Sequence, residues 1–396
     1  MIINLKMLRA ILTAIVLLVY QLNLFPEDTI PSQIRIRIFS ETDTDIIFFY
    51  AESGNYTMTL FPGYAREVMT GETVVMMEYN GRLAVKCTGS RALLADSVFF
   101  TGLTGKERFS LSMNDSNKQP RLYSGNLHCL PDLETIILIN ICDTEDYVAG
   151  VVKAEGGSGK NEEYFKTQAV ITRTYTYRNI NRHSADRYNL CDGTHCQVYH
   201  GITSDSTIIR AVHHTAGKVI VTSDSTLIIS AFHSNCGGET SPSEYVWVIS
   251  VPYLTRVKDP YCTASGNASW EKKVSVKEWK NILAAYGFTG NTDDASGFVF
   301  NQNSRTMHYT IGSFRIPFYI LRNALGLRSA WFSVYDAGDS LLLRGRGYGH
   351  GIGLCQEGAM VMAGRGIKYE DIIKYYYPGV EIIDVRDAKM PVELKK

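Results

Sequence analysis

The spacing of apolar positions changes character along this chain. From about Ile30 to Ile141 it alternates or runs continuously. Ile34, Ile36 and Ile38 alternate with Arg35 and Arg37, the pattern of a strand with one buried face. Asp45 to Leu60 reads as a hairpin turning at Ser53-Gly54-Asn55, and Asn80-Gly81 offers a second tight turn. Thr135 to Ile141 is unbroken and predicts a central buried strand. No helix-length pattern or internal repeat interrupts this region, so a β-rich N-terminal subdomain is expected over about 30–120. After it, Val148, Val152 and Glu155 recur at helical spacing. Asp143 or Thr144 can cap that helix, Glu145 and Asp146 suit its positive end, and Gly156-Gly157 stop it. A second helix over roughly 162–179 packs through Phe165, Ala169, Val170 and Thr172. Further on, the pattern predicts helices over 275–286 and 315–325, and strands over 333–335 and 341–343. It also predicts a polar loop over 289–304 and a glycine-alternating strand over 345–353. Helices over 356–363 and 369–377 follow, then a flexible tail after Asp387. The sum is an α+β fold: mixed β-rich sheets with a few helices around a substrate groove, its main domain over 121–385.

The chemistry-bearing residues gather after the switch. Glu155 ends an apolar helix face, where partial desolvation favours the neutral carboxyl and suits a general acid. The alternative is a Glu that ends its helix in solvent without a role. Lys166 and Arg173 lie seven apart on one helical stripe, either a solvated face or an anion-binding one. Following a candidate acid, they suit an anion, held away from Glu155 because adjacent cations would favour its ionised form. Cys191, His195 and Cys196, with His183 upstream, match a structural zinc site. A Cys191–Cys196 disulfide and a catalytic zinc are the competing readings. In FHSNCGGET, His233 and Ser234 precede a Gly-Gly turn where backbone can approach a ligand, so both are substrate-binding candidates. A satisfied structural histidine is the other reading of His233. Cys236 and Cys262 could close a loop by a disulfide, and Cys355 has no assigned role. The Gly345–Gly353 alternation ends in no Lys-Ser or Lys-Thr and so is not a phosphate loop. It permits close packing or approach by a glycan, with His350 as a contact.

Composition adds little and excludes something. Over 396 residues the formal net charge is zero, so no global field favours nucleic acid or an acidic membrane. Lys6 and Arg9 flank a nearly all-apolar run from Ala10 to Tyr20, a length that suits a signal peptide; no small-x-small cleavage site follows. Residues 1–25 are therefore expected to be a signal peptide or a retained membrane anchor, and the protein exported to the envelope or periplasm.

The blocks EDYVAGVVKAE, YFKTQAVITRTY, HCQVYHG, AFHSNCGGET and GRGYGHGIGLCQEGAMVMAGRG with YEDIIKYYYPGV resemble, in order, the stage II sporulation protein D and amidase-enhancer family. They span Arg121 to Val380, about two-thirds of the chain. The resemblance implies a peptidoglycan lytic transglycosylase with Glu155 as catalytic acid, supported by Lys166 and Arg173. It also implies zinc at the Cys191 segment, since some members bind it there. Such an enzyme needs one carboxylate. It protonates the glycosidic oxygen between N-acetylmuramic acid and N-acetylglucosamine, then takes the proton of the muramyl C6 hydroxyl as that oxygen closes a 1,6-anhydro ring. The amidase-enhancer branch implies the alternative: a non-catalytic glycan-binding module with a cell-wall amidase as partner.

Overall fold

The computed structural model describes residues 31–114, 119–290 and 294–391. The export or anchor segment expected at residues 1–25 lies outside the described residues, as do residues 291–293 of the 289–304 loop and the last residues of the tail. No helix among the described residues is long and apolar enough to cross a membrane. The α+β class holds, with several sheets and a small set of helices.

Two sheets face each other in the first third of the chain. The seven-stranded one runs Leu190–Cys191, Gln33–Ile38, Thr135–Asp143, Asn126–Asp132, Ser97–Gly102, Tyr56–Phe61, Tyr64–Val68. The six-stranded one runs Arg121–Ser124, Arg108–Met113, Ile46–Ser53, Thr73–Tyr79, Arg82–Cys87, Leu93–Ala95. Period-2 burial turns Ile34, Ile36 and Ile38 of one sheet and Ile47, Phe49 and Ala51 of the other into a shared core. Phe49 stacks on Phe100 across that core with ring centroids 4.0 Å apart. The Asn80-Gly81 turn forms as expected: both residues have positive φ, 52° and 77°, and join Thr73–Tyr79 to Arg82–Cys87. The Asp45–Leu60 hairpin does not form. Its two strands exist, but the turn at Gly54 carries the chain from one sheet to the other. Both strands have an apolar face, and folding over the common core buries both faces at once.

The sheets also continue past the boundary expected near residue 120. Arg121–Ser124 lies in one sheet and Asn126–Asp132 and Thr135–Asp143 lie in the other. Tyr147, Val151, Leu190, Cys191, Cys196 and Tyr199 pack in the same core.

Eight helices are described: α1 (Thr144–Gly156), α2 (Glu162–Arg178), α3 (Ser206–His214), α4 (Glu244–Trp247), α5 (Val276–Ala285), α6 (Phe318–Ala324), α7 (Gln356–Gly364) and α8 (Tyr369–Tyr376). Helix α1 is a wedge between two cores. Tyr147 and Val151 enter the sheet core, while Val148, Ala149 and Val152 enter a second core with residues of α2, α3, α7 and α8. Each buried Val contributes about 1.5–3 kcal/mol, so α1 is held from both sides. Gly150 lets it pass the Tyr199–Gly201 segment: a Cβ there would meet the Gly201 carbonyl oxygen at 2.3 Å.

A third core lies within residues 270–343, around a three-stranded sheet of Ser269–Ser275, Ser340–Arg346 and Phe332–Asp336. Here two expected elements change. The helix expected over 315–325 starts only at Phe318, because Phe314–Pro317 pairs as a strand with His308–Ile311 and Pro317 favours extended backbone at the residue before it. The glycine-alternating strand ends at Arg346. Gly347, Gly349, Gly351 and Gly353 all have left-handed φ between 69° and 109°, so the segment is a loop that extended backbone cannot follow.

Candidate active site

Helix α1 delivers Glu155. Asp143 caps it, its Oδ1 accepting the N–H groups of Glu145 at 2.8 Å and Asp146 at 3.3 Å, a contribution of about 1 kcal/mol. Gly157, with φ 79°, ends it. The half-buried Glu155 then has two ties across the fold. Its Oε1 accepts the Val198 N–H at 2.9 Å, and its backbone carbonyl accepts Gln356 Nε2 at 3.0 Å. Burial raises its pKa above the ordinary 4.5, and the Val198 N–H offsets this only in part.

That shift carries a stability consequence. A carboxyl that holds its proton more tightly folded than unfolded adds stability in full below the unfolded value of 4.5, and loses it as pH rises through the folded value. Glutamine does not titrate. The melting temperature of Glu155→Gln relative to the native chain is therefore expected to climb from acid to neutral pH. A scan showing a pH-independent difference contradicts the assignment.

The first turn of α7 gathers the other blocks. Leu354–Cys355 pairs in parallel with Phe232–His233, and the Glu357 N–H donates to the Ser234 carbonyl at 3.1 Å. Gln356 between them reaches Glu155. His233 is buried, its Nδ1 3.1 Å from the Ile352 carbonyl oxygen, and its Nε2 has no hydrogen-bond partner among the described residues. Its ring lies 5.5 Å from that of His350, which in turn lies 6.1 Å from Trp247. His350 Nδ1 accepts the Ile352 N–H at 3.0 Å. Burial lowers both imidazoles, His350 to about 4 and His233 well below its usual value. Near neutral pH they are uncharged groups that offer hydrogen bonds rather than charge.

Lys166 and Arg173 do not join this site. Arg173 is fully buried and bound bidentately to Glu145, Nε–Oε1 at 2.8 Å and Nη2–Oε2 at 2.5 Å, with Nη1 donating to the Lys218 carbonyl at 3.1 Å. Its donors are spent on the fold, so a substrate-binding role does not fit. Lys166 is ion-paired with Glu163 at 2.9 Å and Glu162 at 3.5 Å, and Glu163 also accepts the Tyr369 N–H. The stripe seen in the sequence exists, but its carboxylate partners stand on neighbouring turns and on α1. Neither cation acts on Glu155, which agrees with its raised pKa.

The metal candidates do come together. His183, Cys191, His195 and Cys196 bring one ligand atom each within 4.8 Å of one another. Cys196 Sγ is 3.5 Å from His183 Nε2 and 3.6 Å from His195 Nδ1, and Cys191 Sγ is 3.7 Å from His195 Nδ1. Ligand atoms at zinc bond lengths around a tetrahedral centre lie roughly 3.3–3.8 Å apart, so the quartet fits. Asp186 lies 3.4 Å from His183 Nδ1, which leaves Nε2 free to face the sulfurs.

Several participants carried no signal in the sequence. Val198 acts through its backbone N–H, and Gln356 through an amide whose partner is 201 residues away. Tyr164 and Gln168, one helical turn apart on α2, lie beside Gly156 with buried side-chain polar atoms that have no partner among the described residues. Their i, i+4 spacing was the available clue.

Residues 133–221 match the family described as Stage II sporulation protein. The chain is 30% identical over 322 residues to an uncharacterized protein of Brachyspira hyodysenteriae, covering 80% of this chain and 83% of that one. It is 32% identical over 259 residues to stage II sporulation protein D of Bacillus subtilis, covering 60% of this chain and 74% of the relative. With the Bacillus subtilis amidase enhancer it shares 30% identity over 286 residues, 59% of this chain but 40% of that longer relative. With the sequence blocks in family order and a relative covered over most of its length, the chain belongs to the stage II sporulation protein D and amidase-enhancer family.

Proposed function

We propose that this protein works on the bacterial cell wall as a peptidoglycan lytic transglycosylase, with Glu155 as its single acid and base. The observation that carries the reading is the state of Glu155: a half-buried carboxyl, raised by burial, held by one backbone N–H and not neutralised by a cation. A carboxyl so placed is ready to donate a proton. The influences on it are burial and the Val198 N–H, with no cation among them. One proton-holding carboxyl is enough for a reaction whose nucleophile is the substrate's own C6 hydroxyl, since no water has to be activated. Glu155 protonates the glycosidic oxygen, the bond to the muramyl anomeric carbon breaks, and the C6 oxygen closes on that carbon as Glu155 recovers the proton. His233, Ser234 and His350 bind sugar hydroxyls and amides as neutral partners. The protein is placed in the envelope or outside the cell, where its substrate is.

The test is digestion of purified peptidoglycan by the full chain, with mass spectrometry of the products. Anhydromuramyl ends are expected. Ordinary reducing ends would make it a hydrolase. Intact glycan, with stimulation of an added cell-wall amidase, would favour the enhancer reading that the amidase-enhancer relative suggests.

For the His183, Cys191, His195 and Cys196 quartet we propose a structural zinc. All four side chains donate, which closes the site, and two thiolates with two neutral imidazoles balance the ion's charge. Bound zinc would fix the 183–196 segment, whose next residues carry the Val198 N–H. Cys196→Ser is expected to lose about one zinc per chain and to lower the melting temperature, with activity per folded molecule kept. Elemental analysis with calorimetry checks this. A metal-free native chain with Cys191 joined to Cys196 would replace zinc by a disulfide.

A further inference from the structure

A second cluster of ligating side chains lies in the helical core, away from the quartet. Cys236, Asp259, Cys262 and Cys355 bring one ligand atom each within 4.8 Å of one another, and all four residues have zero exposure. Cys236 Sγ is 3.3 Å from Cys262 Sγ and 3.2 Å from Asp259 Oδ2. They come from three separate segments: the loop after Phe232–His233, the turn at 259–262, and the residue that caps α7.

The surroundings hold these groups in place. Cys355 Sγ accepts two backbone N–H groups, from Cys236 at 3.3 Å and Gly358 at 3.4 Å, at the positive end of α7. Asp259 is oriented by the Tyr261 N–H on Oδ1 and the Tyr376 hydroxyl on Oδ2, each at 2.9 Å. The buried cation nearby, Arg305, spends Nη2 on the Cys236 carbonyl and Nε on the Glu239 carbonyl, not on Asp259. A carboxylate sealed among three sulfurs without a bonded cation is strongly disfavoured. A Cys236–Cys262 disulfide would use two of the sulfurs and leave Cys355 and Asp259 side by side with nothing to hold.

We propose that Cys236, Asp259, Cys262 and Cys355 hold a second divalent ion, of the zinc class, in a closed site. Three thiolates and one carboxylate select a soft, tetrahedral metal over magnesium or calcium. On binding, the thiols release their protons to solvent and the ion takes four bonds. The effect is a clamp. It fixes the loop that carries His233 and Ser234 to the first turn of α7, whose Gln356 reaches Glu155. The inference does not rest on glycan cleavage, nor on what the first quartet holds.

The test compares metal content of the native full chain and its Cys355→Ser variant, by elemental analysis after purification without added metal. The variant is expected to carry about one zinc fewer per chain, with the His183 quartet unaffected. Equal metal content overturns the proposal, as does a non-reduced peptide map in which Cys236 and Cys262 are joined. Should Cys355→Ser fail to fold, the Cys191→Ser/Cys196→Ser chain is stripped of metal with a chelator, freed of the chelator and then titrated with cobalt. One equivalent giving thiolate-to-cobalt absorption supports the second site, and no uptake overturns it.

Discussion

Glu155→Gln is expected to lower the release of 1,6-anhydromuramyl ends by about two to four decades, with glycan binding kept. The amide has the shape of the acid, and its oxygen still accepts the Val198 N–H that holds Oε1 at 2.9 Å. What it loses is the proton: it can neither protonate the leaving oxygen nor take a proton from the C6 hydroxyl. Because burial already favours the neutral carboxyl, replacing it by a neutral amide adds no desolvation cost, and the variant should fold at least as well near neutrality. Mass spectrometry of digests alongside circular dichroism separates the two effects. Full activity in the variant would remove Glu155 from the chemistry and require another residue as the acid.

Arg173→Ala is expected to destabilise the fold by about 3 kcal/mol, lowering the melting temperature on the order of 4 °C for a chain of this length, without changing activity per folded molecule. The guanidinium is wholly buried, and its removal strips Glu145 of two hydrogen bonds and the Lys218 carbonyl of one. Glu145 is one-third exposed and can partly rehydrate, which keeps the loss at the lower end for a buried ion pair. The pair also ties α2 to the first turn of α1, so the damage is to the helix that carries the acid. Weaker substrate binding with an unchanged melting temperature would restore Arg173 to the substrate.

Much of this arrangement was legible from residues alone, wherever the cause is local. The α1 cap, read as Asp143 or Thr144 and found at Asp143, its stop at Gly156-Gly157, the Asn80-Gly81 turn and the central strand read over Thr135 to Ile141 follow from neighbours in sequence. The His183, Cys191, His195 and Cys196 quartet also converges, because its members lie within fourteen positions. What failed were judgements that depend on a partner far away. Ser53-Gly54-Asn55 turns the chain, but only the shared core decides that the next strand joins the opposite sheet. Arg173 looked like a cation on a helix face, and its burial is set by Glu145 on another helix. The glycines of 345–353 mimic a strand's period, and only their φ values show a loop. Cys236 and Cys262 were paired from sequence alone, but Cys355 and Asp259 carried no motif that joins them to that pair.

The bond between Gln356 and the Glu155 carbonyl spans 201 residues, and the loop holding His233 and Ser234 is pinned by the same turn of α7. Chains are made from the N-terminus, and early segments fold first. Glu155 therefore leaves the ribosome long before the segment that completes its surroundings. Most of the sheet core is made before α1, and the residues of α2 and α3 that pack it follow soon after, while the contributions of α7 and α8 come only with the last tenth of the chain. A molecule that ends before α7 has Glu155 but neither its Gln356 tie nor the turn that pins the loop of His233 and Ser234.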